Sequence, residues 1–331
     1  MYKVIFLGLI SIFGVQTQYP TYDETYAKRI FNLAASAYPV YDPTANGTGP
    51  IDVCLSKSFP NVNWDAKQTH TVSCGMGWGP FLNSCQENEN NECQMLVAVS
   101  TQSSTIVLAF RGTIGASQFL NELKSGYDMS IVFDGAPRVN SYFYKSMLKL
   151  WDSVIKDIVT NPGYSGYRII ITGHSLGGAL ASLTAYQIRY NVSNTSPDQI
   201  HLVTFGEPRT GDYIYANNLR NYINYIFRVV HGSDPIPHLP FCSSNSAGGC
   251  QSSNTNQYYQ HAQEIWYHGA STDNYHMGTY DDSCSKTDGE DSSTLPGQSP
   301  SPTGYNGGVV HTHYFDVDIS TFGANYCVYP S

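Results

Sequence analysis

The stretch IIITGHSLGGALASLTAY, residues 169–186, sets Ser175 between Gly173 and Gly177. A serine in a Gly-x-Ser-x-Gly pentapeptide can act as a nucleophile when a strand, a tight turn and a helix lift its hydroxyl above a sheet edge. The pentapeptide alone is a weak signal in a chain with 29 glycines. The flanks strengthen it. Ile169–Ile171 supply β-branched strand residues, and Ala179, Leu180 and Leu183 mark a buried helix. Gly173 and Gly177 lack the Cβ that would obstruct a close strand–helix approach. The competing interpretation is a glycine-rich structural turn that happens to contain a serine.

A nucleophilic serine needs a histidine and an acid, in the chain order serine, acid, histidine for this type of turn. In YIFRVVHGSDPIPHLP, Asp234 falls just after a strand at Ile226–Val230 and is stiffened by Pro235 and Pro237. A rival, Asp212, lies further from its strand and suits the cap of the next helix. Six histidines follow Asp234. His238 is very close to the acid, His261 sits in an apolar strand-like stretch, and His268 and His276 lie around a loop. His311 and His313 open HTHYFDVDI. Read as extended chain, they point to the same side, so periodicity does not separate them; position gives His311 a slight lead. A tetrahedral intermediate carries an oxyanion that needs preorganised donors. Leu176 offers a backbone N–H directly after Ser175. LAFRGTIG offers a second donor at Thr113, past a strand at Thr105–Phe110 and Gly112; an ordinary turn threonine is the alternative there.

These residues require a scaffold, and the pattern supplies one. Helices are expected at Thr21–Ala37 and Tyr142–Val159. Strands are expected at Met95–Val99, Thr105–Phe110, Arg168–Thr172, Leu202–Phe205 and Ile226–Val230. Strand and helix alternate from residue 105 to 231, which predicts an α/β fold: a central, mostly parallel sheet flanked by helices. Ser243–Gln257 and Asp281–Gly308 are polar and read as surface loops.

The chain has 331 residues, 41% apolar, and a formal net charge of −9. The charge argues against nucleic acid or an anionic membrane as partner and leaves neutral lipid open. At the start, Lys3 precedes the apolar run Val4–Val15, and polar Gln16, Thr17 and Gln18 end it too early for a bilayer span. We read residues 1–17 as a secretory signal and 18–331 as one domain. All eight cysteines follow that signal, and no two form Cys-x-x-Cys. An even count in an exported chain predicts four disulfides; the local pair Cys242–Cys250 is the one pairing the spacing suggests. Asn46, Asn191 and Asn194 each open an N-glycosylation pattern.

Taken together, LAFRGT, KLWDSV, ITGHSLGGALA, LVTFGEPRTGD, FRVVHGSDPIPHLP, HAQEIWY and HTHYF resemble the class 3 (fungal-type) lipases, in order, from about residue 26 to 327. The resemblance implies an α/β-hydrolase fold. It implies Ser175 as nucleophile, Asp234 as acid and His311 as base, since HTHYF matches His-x-x-Tyr-Phe. Thr113 and Leu176 take the place of the oxyanion hole, and His261 falls at a non-catalytic position. Ile114 to Ser125 falls where a lid follows, with Ile114, Phe119, Leu120 and Leu123 on its apolar face. The implied activity is that of a triacylglycerol lipase acting on lipid esters at a lipid–water interface, with no cofactor or metal. A phospholipase A1, a feruloyl-type esterase and an inactive binding protein on the same scaffold are the alternatives. VNSYF replaces the His/Gly pair many relatives carry before the long helix, and the lid stretch has no tryptophan.

Overall fold

A computed structural model of the chain describes residues 20–74, 92–113, 129–131, 133, 137–232, 234–240, 242, 257–261, 263–267, 275–277 and 307–329. The chain enters through helices α1 (Glu24–Ala35) and α2 (Pro50–Ser58). The side chain of Asp23 accepts from the Tyr26 N–H and fixes the start of α1, so the helix expected from Thr21 begins three residues later. Strands β1 (Ala66–Ser73), β2 (Glu92–Ser100) and β3 (Thr105–Phe110) follow. A small hairpin, β4 (Met129–Ile131) with β5 (Arg138–Asn140), leads to helix α3 (Ser141–Leu150). Asn140 caps α3 by accepting from the N–H groups of Tyr142 and Phe143. The helical path continues through a π turn at Trp151–Ile155 and ends with Lys156–Val159.

Then come β6 (Arg168–His174), helix α4 (Leu176–Asn191), β7 (Ile200–Phe205), helix α5 (Tyr213–Tyr222) and β8 (Tyr225–His231). Strands β9 (Glu264–Tyr267) and β10 (Tyr275–Met277) complete the main sheet. Helix α6 (Gly307–Thr312), the short pair β11 (His313–Tyr314) and β12 (Val317–Asp318), and helix α7 (Ile319–Ala324) close the described chain.

Among the described residues the main sheet has eight strands, in the order β1-β2-β3-β6-β7-β8-β9-β10. The pairs from β3 to β9 are parallel, and antiparallel strands flank them on both sides. Period-2 alternation divides the side chains between two cores. Ile106, Leu108, Phe110, Ile169 and Ile171 face α3 and α4. Val107, Ala109 and Ile170 face α1, α2 and α7. Covering on both faces is why β3 reads as an unbroken apolar run. The edge strand β1, AKQTHTVS, has no residue fully buried, and no apolar run announced it.

Two disulfides have both partners among the described residues. Cys54–Cys327 ties α2 to the chain's end across 273 residues, and Cys74–Cys93 joins the neighbouring ends of β1 and β2. Cys242 is also disulfide-bonded. Cys250, its expected partner, lies outside the described residues, as do the leader 1–17, the lid residues Ile114, Phe119, Leu120 and Leu123, and most of the loop 281–308.

Candidate active site

Ser175 lies between the end of β6 and the first residue of α4, with φ 58° and ψ −129°. A non-glycine residue there costs about 1–3 kcal/mol, so the surroundings must hold it. They do so by close packing. A Cβ on Gly173 would lie 2.2 Å from the Gly177 carbonyl oxygen, and one on Gly177 would lie 2.2 Å from that of Phe110. The Ser175 N–H donates to the Phe205 carbonyl at 2.9 Å. The two glycines let β3, β6 and α4 meet, and that contact bends the chain at Ser175.

Asp234 follows the C-terminal end of β8 and is fully buried. His311 Nδ1 lies 2.8 Å from Asp234 Oδ2 and 3.0 Å from Oδ1. The carboxylate also accepts from the Tyr314 hydroxyl at 2.7 Å and the Ile236 N–H at 2.9 Å. Burial pushes its pKa up, but His311 and these donors outweigh burial and hold the carboxyl below its ordinary value. The other ring nitrogen of His311, Nε2, is buried and has no hydrogen-bond partner among the described residues. Gly206, at φ +59°, makes room for this group: a Cβ there would lie 2.9 Å from Asp234 Oδ2 and 3.0 Å from His311 Cε1.

His174 joins the serine turn to the histidine. Its ring packs on that of His311 with centroids 4.6 Å apart. Its Nε2 lies 2.7 Å from the His311 carbonyl oxygen and its Nδ1 lies 2.8 Å from the Tyr38 hydroxyl. A carbonyl only accepts, so Nε2 carries the proton and Nδ1 accepts from Tyr38. Burial and the neighbouring His311 push the His174 pKa down to about 3, so the ring stays neutral. Tyr38 also packs on the strand end beyond β3: a Cβ on Gly112 would lie 2.9 Å from its hydroxyl and 3.2 Å from Ser175 Cβ. Thr113 follows Gly112 and is half-buried. Leu176 is the first residue of α4, where an N–H has no acceptor within the helix.

The residues singled out in the sequence thus divide. Ser175, Asp234, His311, Leu176 and the Gly112–Thr113 strand end gather at the C-terminal ends of β3, β6 and β8. Asp212 does not join them: it caps α5 by accepting from the Tyr215 N–H at 2.8 Å. His261 pairs instead with the buried Glu207, Nε2 to Oε2 at 3.0 Å. His313 bonds its neighbour, with Nδ1 3.0 Å from Thr312 Oγ1. The extended conformation expected for 311–313 is corrected here: His311 lies in α6 and His313 starts β11, so the two rings do not share a side by strand alternation. His268 lies outside the described residues. Tyr38, His174 and Gly206 were not picked out. His174 carried a local signal as the residue before Ser175, whereas Tyr38 reaches it across 136 residues and had none.

The profile of the class 3 lipases matches residues 107–244. A lipase of Caenorhabditis elegans, Lipase ZK262.3, is 33% identical over 284 residues, spanning 82% of this chain and 74% of that protein. The secreted mono- and diacylglycerol lipase 1 of Fusarium solani is 29% identical over 152 residues, 44% of this chain and 42% of its own. Among solved structures, a triacylglycerol lipase whose catalytic centre is described as a serine protease triad superposes with a TM-score of 0.63. It covers 92% of this chain and 98% of its own at 21% identity, a likeness of fold. With a third of its residues shared over most of the nematode enzyme, the chain belongs to the class 3 lipase family and is a carboxylic ester hydrolase of the α/β-hydrolase fold.

Proposed function

We propose that the protein is a secreted triacylglycerol lipase that works through Ser175, His311 and Asp234. The observation that carries this reading is the state of His311. Its Nδ1 is held by Asp234, while Nε2 is buried and unpaired among the described residues. A neutral imidazole donating from Nδ1 to a carboxylate keeps its lone pair on Nε2. That nitrogen takes the Ser175 Oγ proton as the oxygen attacks the ester carbonyl, and passes it to the departing alcohol. Water then attacks the acyl-enzyme with Nε2 again as base. The depressed pKa of Asp234 keeps the carboxylate charged beside the imidazolium as it forms.

Thr113 and Leu176 stabilise the oxyanion, Thr113 through its N–H and hydroxyl and Leu176 through its N–H. Among the described residues no helix is long and apolar enough to cross a membrane. Export rests on the leader at 1–17, and the disulfides agree with an oxidising compartment. The mono- and diacylglycerol lipase activity of the Fusarium solani relative supports glycerides as substrates, and the lid stretch Ile114–Ser125 would cover the site away from lipid.

One assay panel tests the reading. Wild type and Ser175→Ala are compared on a long-chain triglyceride emulsion, a phospholipid and a feruloyl ester. The expected result is preference for the triglyceride and a loss of about 10⁴-fold or more in the variant. A variant that retained a tenth of wild-type turnover would remove Ser175 from its role, and preference for the phospholipid or feruloyl ester would replace the substrate.

A further inference from the structure

A cavity of about 330 Å³ opens at the end of the sheet away from Ser175, between the turn that leads into β6 and the turn that follows α4. Ile169, near the start of β6, lines it, whereas Ser175 follows the strand's other end, about 20 Å away by strand rise. The cavity therefore stands apart from the ester site.

Its lining has a definite chemistry. The floor is apolar, with Ile106 and Ile169 almost fully buried. Tyr164 and Tyr167 stand half-buried in the wall, ring centroids 5.3 Å apart. The rim carries amides and hydroxyls, among them Asn161, Ser193 and Gln199. No charged residue lines it among the described residues, in a chain with 17 basic and 26 acidic ones. A charged ligand would lose hydration there and meet no counter-charge. An apolar floor and an aromatic wall beneath a neutral hydrogen-bonding rim suit a ring with one apolar face and a border of uncharged hydroxyls and amides, which is a sugar.

The rim also carries attachment points. Asn191-Val192-Ser193 and Asn194-Thr195-Ser196 both fit the N-glycosylation pattern, and both asparagines line the cavity and are exposed. We propose that Asn194 carries an N-linked glycan whose first N-acetylglucosamine seats in this cavity against Tyr164 and Tyr167. Asn194 lies in the turn beyond α4, exposed, and lines the cavity. Asn191 is the last residue of α4, where side chains lean back along the helix. Attachment joins the sugar's anomeric carbon to Asn194 Nδ2, which gives up one proton. It breaks the bond from that carbon to phosphate oxygen in a lipid-linked oligosaccharide diphosphate, and the diphosphate leaves. The proposal rests on the reading of the chain as exported.

The test uses the full chain made in a eukaryotic secretory host. Glycopeptide mapping establishes which asparagine is occupied. Melting temperatures are then compared for the intact glycoform, the form trimmed by an endoglycosidase to one N-acetylglucosamine, and Asn194→Gln. The expected order is intact equal to trimmed, with the sugar-free variant lower by about 2 °C or more. In a Tyr164→Ala/Tyr167→Ala background the gap between trimmed and sugar-free forms should vanish, whatever that background's own stability. An exported protein with Asn194 unoccupied, or a trimmed form that melts with the sugar-free one, overturns the proposal and leaves export standing. A chain retained in the cell removes both. Free N,N′-diacetylchitobiose on Asn194→Gln separates the sources: stabilisation beyond that of the tethered sugar assigns the cavity to a soluble saccharide and overturns the glycan.

Discussion

Among the described residues there are two buried pairs of a carboxylate and a histidine, and only one is proposed to do chemistry. Asp234 meets His311 at 2.8 Å and Glu207 meets His261 at 3.0 Å, with all four side chains almost wholly excluded from water. Both carboxyls are held below their ordinary pKa against the upward push of burial, each with its histidine as the largest opposing influence. The difference is what else each pair touches. Glu207 also accepts from Thr204 and Thr210, its backbone carbonyl takes Gln260, and its Cβ sits 2.9 Å from where a side chain on Gly178 would begin. Arg228 then anchors the His261 carbonyl at 2.8 Å and pairs with Glu264. That pair joins β7, the stretch before β9 and the underside of α4 into one body. His311 instead keeps Nε2 without a partner among the described residues, beside the turn that carries Ser175. A buried acid–histidine contact marks a rigid place in the fold; reactivity needs an unused lone pair and a strained neighbour to receive it.

The sharpest test removes the histidine of the reactive pair and compares it with His313, which belongs to neither pair. His311→Ala should lose about 10⁴-fold in turnover on a soluble ester, with its circular dichroism spectrum intact, while His313→Ala stays within about tenfold. The reverse result would exchange their roles.

Deleting Glu207 should act on stability instead. Glu207→Ala leaves His261, Thr204 and Thr210 facing a void. Breaking a buried pair from one side costs about 3–5 kcal/mol, seen as a lower urea midpoint. Turnover per folded molecule should remain within about threefold of wild type, and a larger drop would join the two pairs functionally.

Tyr38→Phe probes the link between serine turn and histidine. It removes the donor to His174 Nδ1, which costs about 1 kcal/mol of stability. A His174 ring that loses its place against His311 should in turn lower kcat on a soluble ester by about fivefold, with KM unchanged. Unchanged kcat would show that His174 holds its place without Tyr38.

The smallest effect is in acid. Because both carboxyls are depressed in the folded state, each lends stability that is complete above its unfolded value and is lost as pH falls through its folded one. Glu207→Gln should therefore flatten the dependence of stability on pH below about 4.5, read from urea midpoints between pH 3 and 6. An unchanged slope would mean that Glu207 titrates alike in both states.

What the sequence disclosed follows the range of the forces involved. The parallel core was legible because β3, β6, β7 and β8 are short apolar runs between turns, covered on both faces. The bend at Ser175 was legible because its cause is local: two glycines within two residues of the serine. Asp212 could be read as a cap for the same reason. Long-range pairings were hidden. Nothing near Tyr38 points to His174, and nothing near Cys54 points to Cys327. The Glu207–His261 pair spans two of the quoted motifs, yet neither shows that it meets the other. Edge strand β1 was missed because a strand paired on one side only can be polar on both faces. The structure of 311–313 was misread because a six-residue helix is too short to declare a period.

The Cys54–Cys327 bond has a topological consequence. It closes a covalent ring that encloses the whole main sheet and Ser175, Asp234 and His311. One proteolytic cut anywhere on that ring yields two polypeptides but a single molecule. The fragments stay tethered at an effective concentration of order millimolar, so a nicked enzyme can keep or regain its shape. Such a two-chain form would run as one species until reductant was added, and then separate.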